Sequence, residues 1–222
     1  MKYQLKISIT IILIATLSTN IFARTPIEGK DYVFITNKPH QKFKDVIADF
    51  FVYGCKQCEQ VRQVLLDLQT KDPKKYKYVR YPALIPFEIV KDQYIYNPRF
   101  IASAKVHYLA ESLGVSEKVR ETLKPVKLKY FDQLTSDGGL FKFFTNFNIN
   151  QSQFNTHIHS FRLEVKMKQA ENFSDIYLTK SKPPIVGVPQ IIVNGKYRTS
   201  FKMVNGDLSQ FEEVINYLIE KR

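Results

Sequence analysis

The chain has 222 residues, with 33 basic against 21 acidic side chains and a formal charge of +12. That length suffices for one sizeable core or a domain with an insertion, and no repeat or low-complexity tract interrupts it. The positive residues (Lys42, Lys44, Lys71, Lys74, Lys75, Lys127, Lys129, Lys166, Lys168) are scattered rather than massed on one motif, which argues against a nucleic-acid partner.

Lys2 and Lys6 precede an apolar run from Ile7 to Leu17, and Ile21-Phe22-Ala23 follows with a small residue last. This order of charged, apolar and cleavage regions reads as a signal peptide over 1–23, with the mature chain starting near Arg24. A membrane anchor is the competing reading, but the apolar run is short of the roughly 18–20 residues that a spanning helix needs. No cysteine sits at the cleavage point to carry a lipid. Without Lys2 and Lys6 the chain keeps 31 basic and 21 acidic residues, a balance of +10. Export argues further against nucleic acid and leaves a solvated basic surface, or attraction to anionic lipid, as the reading of that charge. The chain is therefore expected to be exported.

In the mature part, Tyr32-Val33-Phe34-Ile35 is a short β-type run ended by Asn37-Lys38-Pro39. Val46 to Tyr53 is nearly continuously apolar, the pattern of a central strand buried on both faces. Asp49 interrupts that run, and a carboxylate there is costly unless it is paired or protonated. Gly54 allows a tight turn, after which Cys58, Val61, Leu65 and Leu68 lie on one face of a helix that ends at Asp72-Pro73. Tyr76 to Leu84 is again β-type.

From about 87 the pattern predicts helices only. Asn97-Pro98 is a helix start, Gly114 a stop, Ser116 the start of a second helix, and Pro125 a break. Leu128, Phe131 and Leu134 resume the period before Asp137-Gly138-Gly139, and Leu140 to Phe147 forms another short helix. Asn150 caps one long helix through Phe154, Ile158, Phe161 and Val165 to about Lys180. Strand character returns after Pro183-Pro184, and Asn194-Gly195 between two β-type runs marks a hairpin. A last helix is expected from about Ser209, with Ser209 and Glu212 as a capping box.

Cys55 and Cys58 are the only cysteines. In an oxidising compartment they would pair, yet a bridge between residues three apart removes little unfolded-state entropy and so stabilises a large domain very little. Redox or metal chemistry remains. A helix N-terminus favours thiolate, which marks Cys55 as the attacking sulfur and Cys58, one turn on against the apolar side, as the resolving one. Two cysteines at this spacing could also be half of a zinc site. However, no second cysteine pair exists, and His40, His107, His157 and His159 show no ligand spacing. No metal or cofactor is expected.

These elements together resemble the DsbA family of periplasmic thiol-disulfide oxidoreductases. The resemblance rests on the strand and the Cys-x-x-Cys at a helix start, on Gly187-Val188-Pro189 followed by Val193-Asn194-Gly195-Lys196-Tyr197, on Phe50-Phe51 and on Glu28-Gly29-Lys30. It implies an α/β, thioredoxin-like fold interrupted by an all-helical insertion: a first part at 24–86, an insertion at 87–180 and a second part at 181–222. It implies a cis-proline at Pro189, a rare peptide geometry that marks a purposeful turn. Gly187 and Val188 would then bind substrate, and Asp49 would be the buried acid that exchanges a proton with Cys58. The family's acid resembles glutamate more often, so the shorter Asp49 would need a water to reach the sulfur. Lys56-Gln57 departs from the family's best-known Pro-His dipeptide, and a neutral glutamine in place of imidazole implies a less oxidising pair.

The expected activity is introduction of disulfides into unfolded exported proteins by a monomer, with reoxidation by a quinone-linked inner-membrane partner resembling DsbB. A reductase or isomerase of the same fold is the alternative, and a thiol-based metal carrier or a chaperone a more distant one.

Overall fold

The structure, a computed structural model, describes residues 24–90, 93–180 and 187–221. The proposed signal peptide, and Pro183 to Val186 at the expected return of strand character, lie outside them. Among the described residues no helix is long and apolar enough to cross a membrane.

A five-stranded sheet runs in the order β1 (Val33–Phe34), β7 (Tyr197–Thr199), β6 (Gln190–Val193), β2 (Ile47–Phe51), β3 (Tyr78–Pro82). β2 and β3 are parallel, joined by helix α1 (Lys56–Lys71), and the remaining pairs are antiparallel. Every residue of β2 is buried, as its continuous apolar run requires. Ile47, with Val61, Leu65 and Leu68 of α1, packs into a core completed by Phe211, Val214, Ile215 and Leu218 of α7 (Leu208–Glu220). Ala48 and Phe50 point the other way, against Phe43, Phe173, Tyr177 and Leu178. The β6–β7 turn falls on Asn194 and Gly195, both at positive φ (55° and 65°), as the Asn-Gly pair predicts. Lys221 lies 4.8–5.5 Å from the rings of Tyr32, Tyr197 and Tyr217 and donates to the Tyr32 hydroxyl (2.6 Å), so it fastens α7 to the start of the described chain.

Between the two parts of this sheet lies a helical block: α2 (Pro98–Ser112), α3 (Ser116–Leu123), α4 (Asp137–Thr145), α5 (Gln151–Ile158) and α6 (Phe161–Ser174). Asn97 caps α2 and Asn150 caps α5, the latter with Gln153 in a reciprocal box. The block has its own core of Leu109, Val119, Phe131, Phe144 and Phe154, which Phe51, Tyr53 and Cys58 enter from the sheet side.

Four expectations are corrected. Residues after 86 are not helical at once: β4 (Pro86–Val90) and β5 (Gln93–Tyr96) form a separate two-stranded hairpin. Ile89-Val90 and Tyr94-Ile95-Tyr96 are β-branched and aromatic residues that favour this geometry. The long helix from 151 breaks at His159-Ser160, where the Ser160 hydroxyl accepts from the Leu163 amide and starts α6 afresh. Phe161, at the start of α6, is 77% exposed, and Asp175–Thr179 closes the run as a π-helical turn. Leu128–Leu134 is a 3-10 rather than an α segment, and Gly138-Gly139 lies in the first turn of α4, which Ser136 caps. The last helix is capped by Asp207, whose carboxylate accepts from the Ser209 and Gln210 amides (2.8 and 3.0 Å), not by a Ser209–Glu212 box.

Two positions where the sheet meets the block give predictions. Gly54 has φ +79°, and a Cβ there would lie 2.8 Å from the Val126 carbonyl oxygen. Gly54→Ala should therefore cost about 1–3 kcal/mol, read from urea midpoints. His107 of α2 stands edge-on to Phe51 with its ring 12% exposed. Burial, then the charges of Arg80 and Lys166, push its pKa down from 6.5 to about 3. Glu111 lies 3.5 Å from its Nε2 but is 41% exposed and too solvated to offset this. The folded state thus holds His107 neutral where the unfolded chain binds a proton. Its contribution is complete above about pH 6.5 and is lost as pH falls toward 3, with a slope of about 1.4 kcal/mol per pH unit. His107→Phe should flatten that limb in denaturation curves taken from pH 7 to 4.

Candidate active site

The cysteines sit at the junction of β2 and α1, where the chain turns through Gly54. Cys55 is the N-cap of α1 and is bonded to Cys58, with Cα atoms 5.3 Å apart. The Cys58 amide donates to the Cys55 sulfur at 3.1 Å, so a free donor of the helix N-terminus points at that sulfur. Cys55 is partly accessible, whereas Cys58 is 1% exposed and packed in the core of the helical block. An incoming nucleophile therefore reaches Cys55 and not Cys58. Lys56 and Gln57 between them are both exposed. In solvent the Lys56 charge is screened from the sulfurs, and Gln57 offers only a neutral amide.

Far along the chain, the Val188–Pro189 peptide bond is cis. It places the Val188 carbonyl oxygen 3.9 Å from the Cys55 sulfur. Gly187 and Val188 are half-buried and Pro189 is buried. The loop is held from below by Gln190, whose side-chain amide donates to the Gly187 carbonyl (3.0 Å). The structure thus brings Cys55, Cys58, Gly187, Val188 and Pro189 together.

Asp49 lies deeper on β2. It is fully buried, and its Oδ2 accepts from Tyr78 Oη and Arg80 Nε, each at 2.9 Å, across the β2–β3 register. Burial pushes its carboxyl above the ordinary aspartate range; the Arg80 charge and the two hydrogen bonds pull the other way without fully offsetting it. Oδ1 is buried with no hydrogen-bond partner among the described residues. Arg80 in turn stacks over Phe51, 3.7 Å from the ring centre, and reaches a cavity of about 10 Å³ behind the disulfide. Cys55, Cys58, Glu59 and Arg120 also line that cavity, which has room for about one water. Asp49 does not line it.

Sequence reasoning missed Arg80, Glu59 and Arg120, and it missed Tyr53 as an anchor. The Tyr53 amide donates to the Ser103 hydroxyl (3.0 Å), and its ring stacks on Phe131 at 6.4 Å. Arg80 left a signal, because a carboxylate in a central strand demands a cation on a neighbouring strand. The others depend on long-range packing. Among the described residues no three His, Cys, Asp or Glu side chains group to hold a metal.

No protein-family model matches the chain. It is 25% identical over 195 residues to the thiol:disulfide interchange protein DsbA of Pseudomonas aeruginosa, covering 87% of this chain and 84% of that one. It is 26% identical over 202 residues to DsbA of Pseudomonas syringae pv. tomato, covering 90% and 86%. The crystal structure of P. aeruginosa DsbA superposes with a TM-score of 0.66 at 25% identity, over 87% of this chain and 92% of that one. The oxidoreductase DsbA of Xylella fastidiosa, at 19% identity, shares the fold with a TM-score of 0.62 over 89% and 98%. In sequence and in fold the chain is similar to the DsbA thiol:disulfide interchange proteins, and its Cys55–Cys58 pair at a helix start supports the activity of a DsbA-like thiol:disulfide oxidoreductase.

Proposed function

We propose that the protein oxidises cysteine pairs in unfolded exported chains. The observation that carries this reading is a disulfide with one accessible sulfur at a helix N-terminus and one buried sulfur, set beside a cis-proline loop. A substrate thiolate attacks Cys55; the Cys55–Cys58 bond breaks and its electron pair leaves on Cys58, which then takes a proton. A second substrate thiolate attacks the substrate sulfur of the mixed disulfide. The substrate departs oxidised, leaving Cys55 as thiolate and Cys58 as thiol. The Val188 carbonyl beside Cys55 offers a backbone acceptor to an extended substrate, with Gly187 and Pro189 holding the loop in place.

Asp49, with an uncommitted Oδ1 and a raised pKa, is the acid suited to exchange a proton with Cys58 through water. The helices between residues 87 and 180 serve as the cover over the apolar side of the pair. Reoxidation falls to a quinone-linked inner-membrane partner resembling DsbB, with the protein periplasmic after loss of residues 1–23 and acting as a monomer. No cofactor beyond the two sulfurs enters this cycle. Export also favours a solvated basic surface over any nucleic-acid role.

Two outcomes are expected. In oxidation of a reduced, unfolded test protein, Cys55→Ser should abolish turnover and Asp49→Asn should slow it; Cys58→Ser, which has no disulfide of its own, should accumulate mixed disulfides at Cys55 when the test protein is instead supplied in its disulfide-bonded form, the Cys55 thiolate attacking that disulfide and releasing one substrate thiol. A Cys55→Ser variant with full activity would sink the mechanism. In equilibration with glutathione, the potential should fall between about −270 and −120 mV, the thioredoxin and most oxidising ends, because Gln57 cannot supply an imidazolium. A value at or above the upper end would overturn the reading of Gln57.

A further inference from the structure

Arg120 is on α3 of the helical block, 61 residues from the carboxylate it meets beside the cysteines. Its guanidinium, in a side chain 12% exposed, donates to Glu59 at 2.8 Å and to Glu117 at 3.1 Å, and also bonds Glu121. Glu59 immediately follows Cys58 in the first turn of α1 and is 23% exposed, with Arg62 as its second partner at 3.2 Å. Glu59 and Arg120 both line the small cavity that Cys55 and Cys58 also line. A guanidinium from the insertion thus joins Arg62 in pairing a carboxylate next to the redox pair, in a spot where solvent screening is weak.

We propose that Arg120 is a positioning residue that sets, through Glu59, how readily the Cys55–Cys58 disulfide accepts electrons. The inference rests on the dithiol-exchange reading above. Reduction by two glutathione thiols breaks the Cys55–Cys58 bond, yields glutathione disulfide and leaves the electrons on the two protein sulfurs, with Cys55 held as thiolate. A bare Glu59 carboxylate opposes that thiolate. Arg120, beside Arg62, offsets that opposition and at the same time ties the active-site helix to α3, so the electrostatics of the pair depend in part on a residue outside the sheet domain.

The experiment measures the equilibrium constant with glutathione and the thiolate absorbance titration of Cys55 on the full mature chain. Glu59→Gln should favour the reduced form roughly 3- to 10-fold and lower the thiol pKa; Arg120→Gln should move both by similar factors the other way. Arg120→Lys should stay near the native values, and the Glu59→Gln/Arg120→Gln double variant should fall between the singles. If Arg120→Gln fails to fold, the sign of Glu59→Gln decides. If both single variants lower Tm and leave the equilibrium constant and the titration unmoved, the contact is only a fastening and the proposal fails. If the native pair does not exchange with glutathione at all, the oxidoreductase reading itself falls.

Discussion

Five consecutive buried residues in β2 are the constraint on which the rest depends. A strand with no solvated face needs a packing layer on each side, and at its C-terminal end it needs a third. α1 and α7 supply one layer, Phe43 with the Phe173–Leu178 segment supplies the second, and the helical block covers Phe51. Asp49 sits in the middle of this strand and survives only because the parallel β3 brings Arg80 opposite it. Removing one member of such a pair costs about 3–5 kcal/mol, since the other is left charged and buried. The pair therefore fixes the β2–β3 register as firmly as the apolar contacts do.

The redox pair inherits its asymmetry from this packing. β2 ends by turning through Gly54, so the next residue opens a helix and the residue three further on returns to the core. Cys58 belongs to the apolar core of the helical block, while Cys55 stays at the rim with a backbone amide directed at its sulfur. The difference between the two sulfurs is thus one of access first and of charge second. The cis-proline loop lies on the open side, and the guanidinium groups of Arg80 and Arg120 lie on the closed side. Two of the charges lining the cavity beside the buried cysteine, Arg80 and Arg120, come from β3 and α3, elements that sequence neighbours do not reveal.

Local signals were legible where one residue type decides local geometry. Cys-x-x-Cys after an apolar run, Asn97-Pro98, Asn150 and Asn194-Gly195 each fix a cap or turn within four residues, and each stands as read. The β4–β5 hairpin was hidden because Pro82 and Pro86 look like the end of strand character, whereas Pro86 only begins a second, separate sheet. The break at Ser160 was hidden because the apolar period continues across it; only the hydroxyl competing for the Leu163 amide ends one helix and starts the next. Arg80, Glu59 and Arg120 were unreadable for a different reason. Surface-type charges become site residues only when register and domain packing enclose them.

The edge of the sheet has a consequence for how the chain comes to be folded. β1 pairs only with β7, and the Thr199 hydroxyl reaches the Asp31 carbonyl across 168 residues of sequence. Contacts of such separation form late, because a long loop must close before they give any return. The first strand of the sheet would thus be among the last elements to find its partner. Until β7 forms, β1 has no strand to pair with among the described residues, so closure of this edge depends on the last part of the chain.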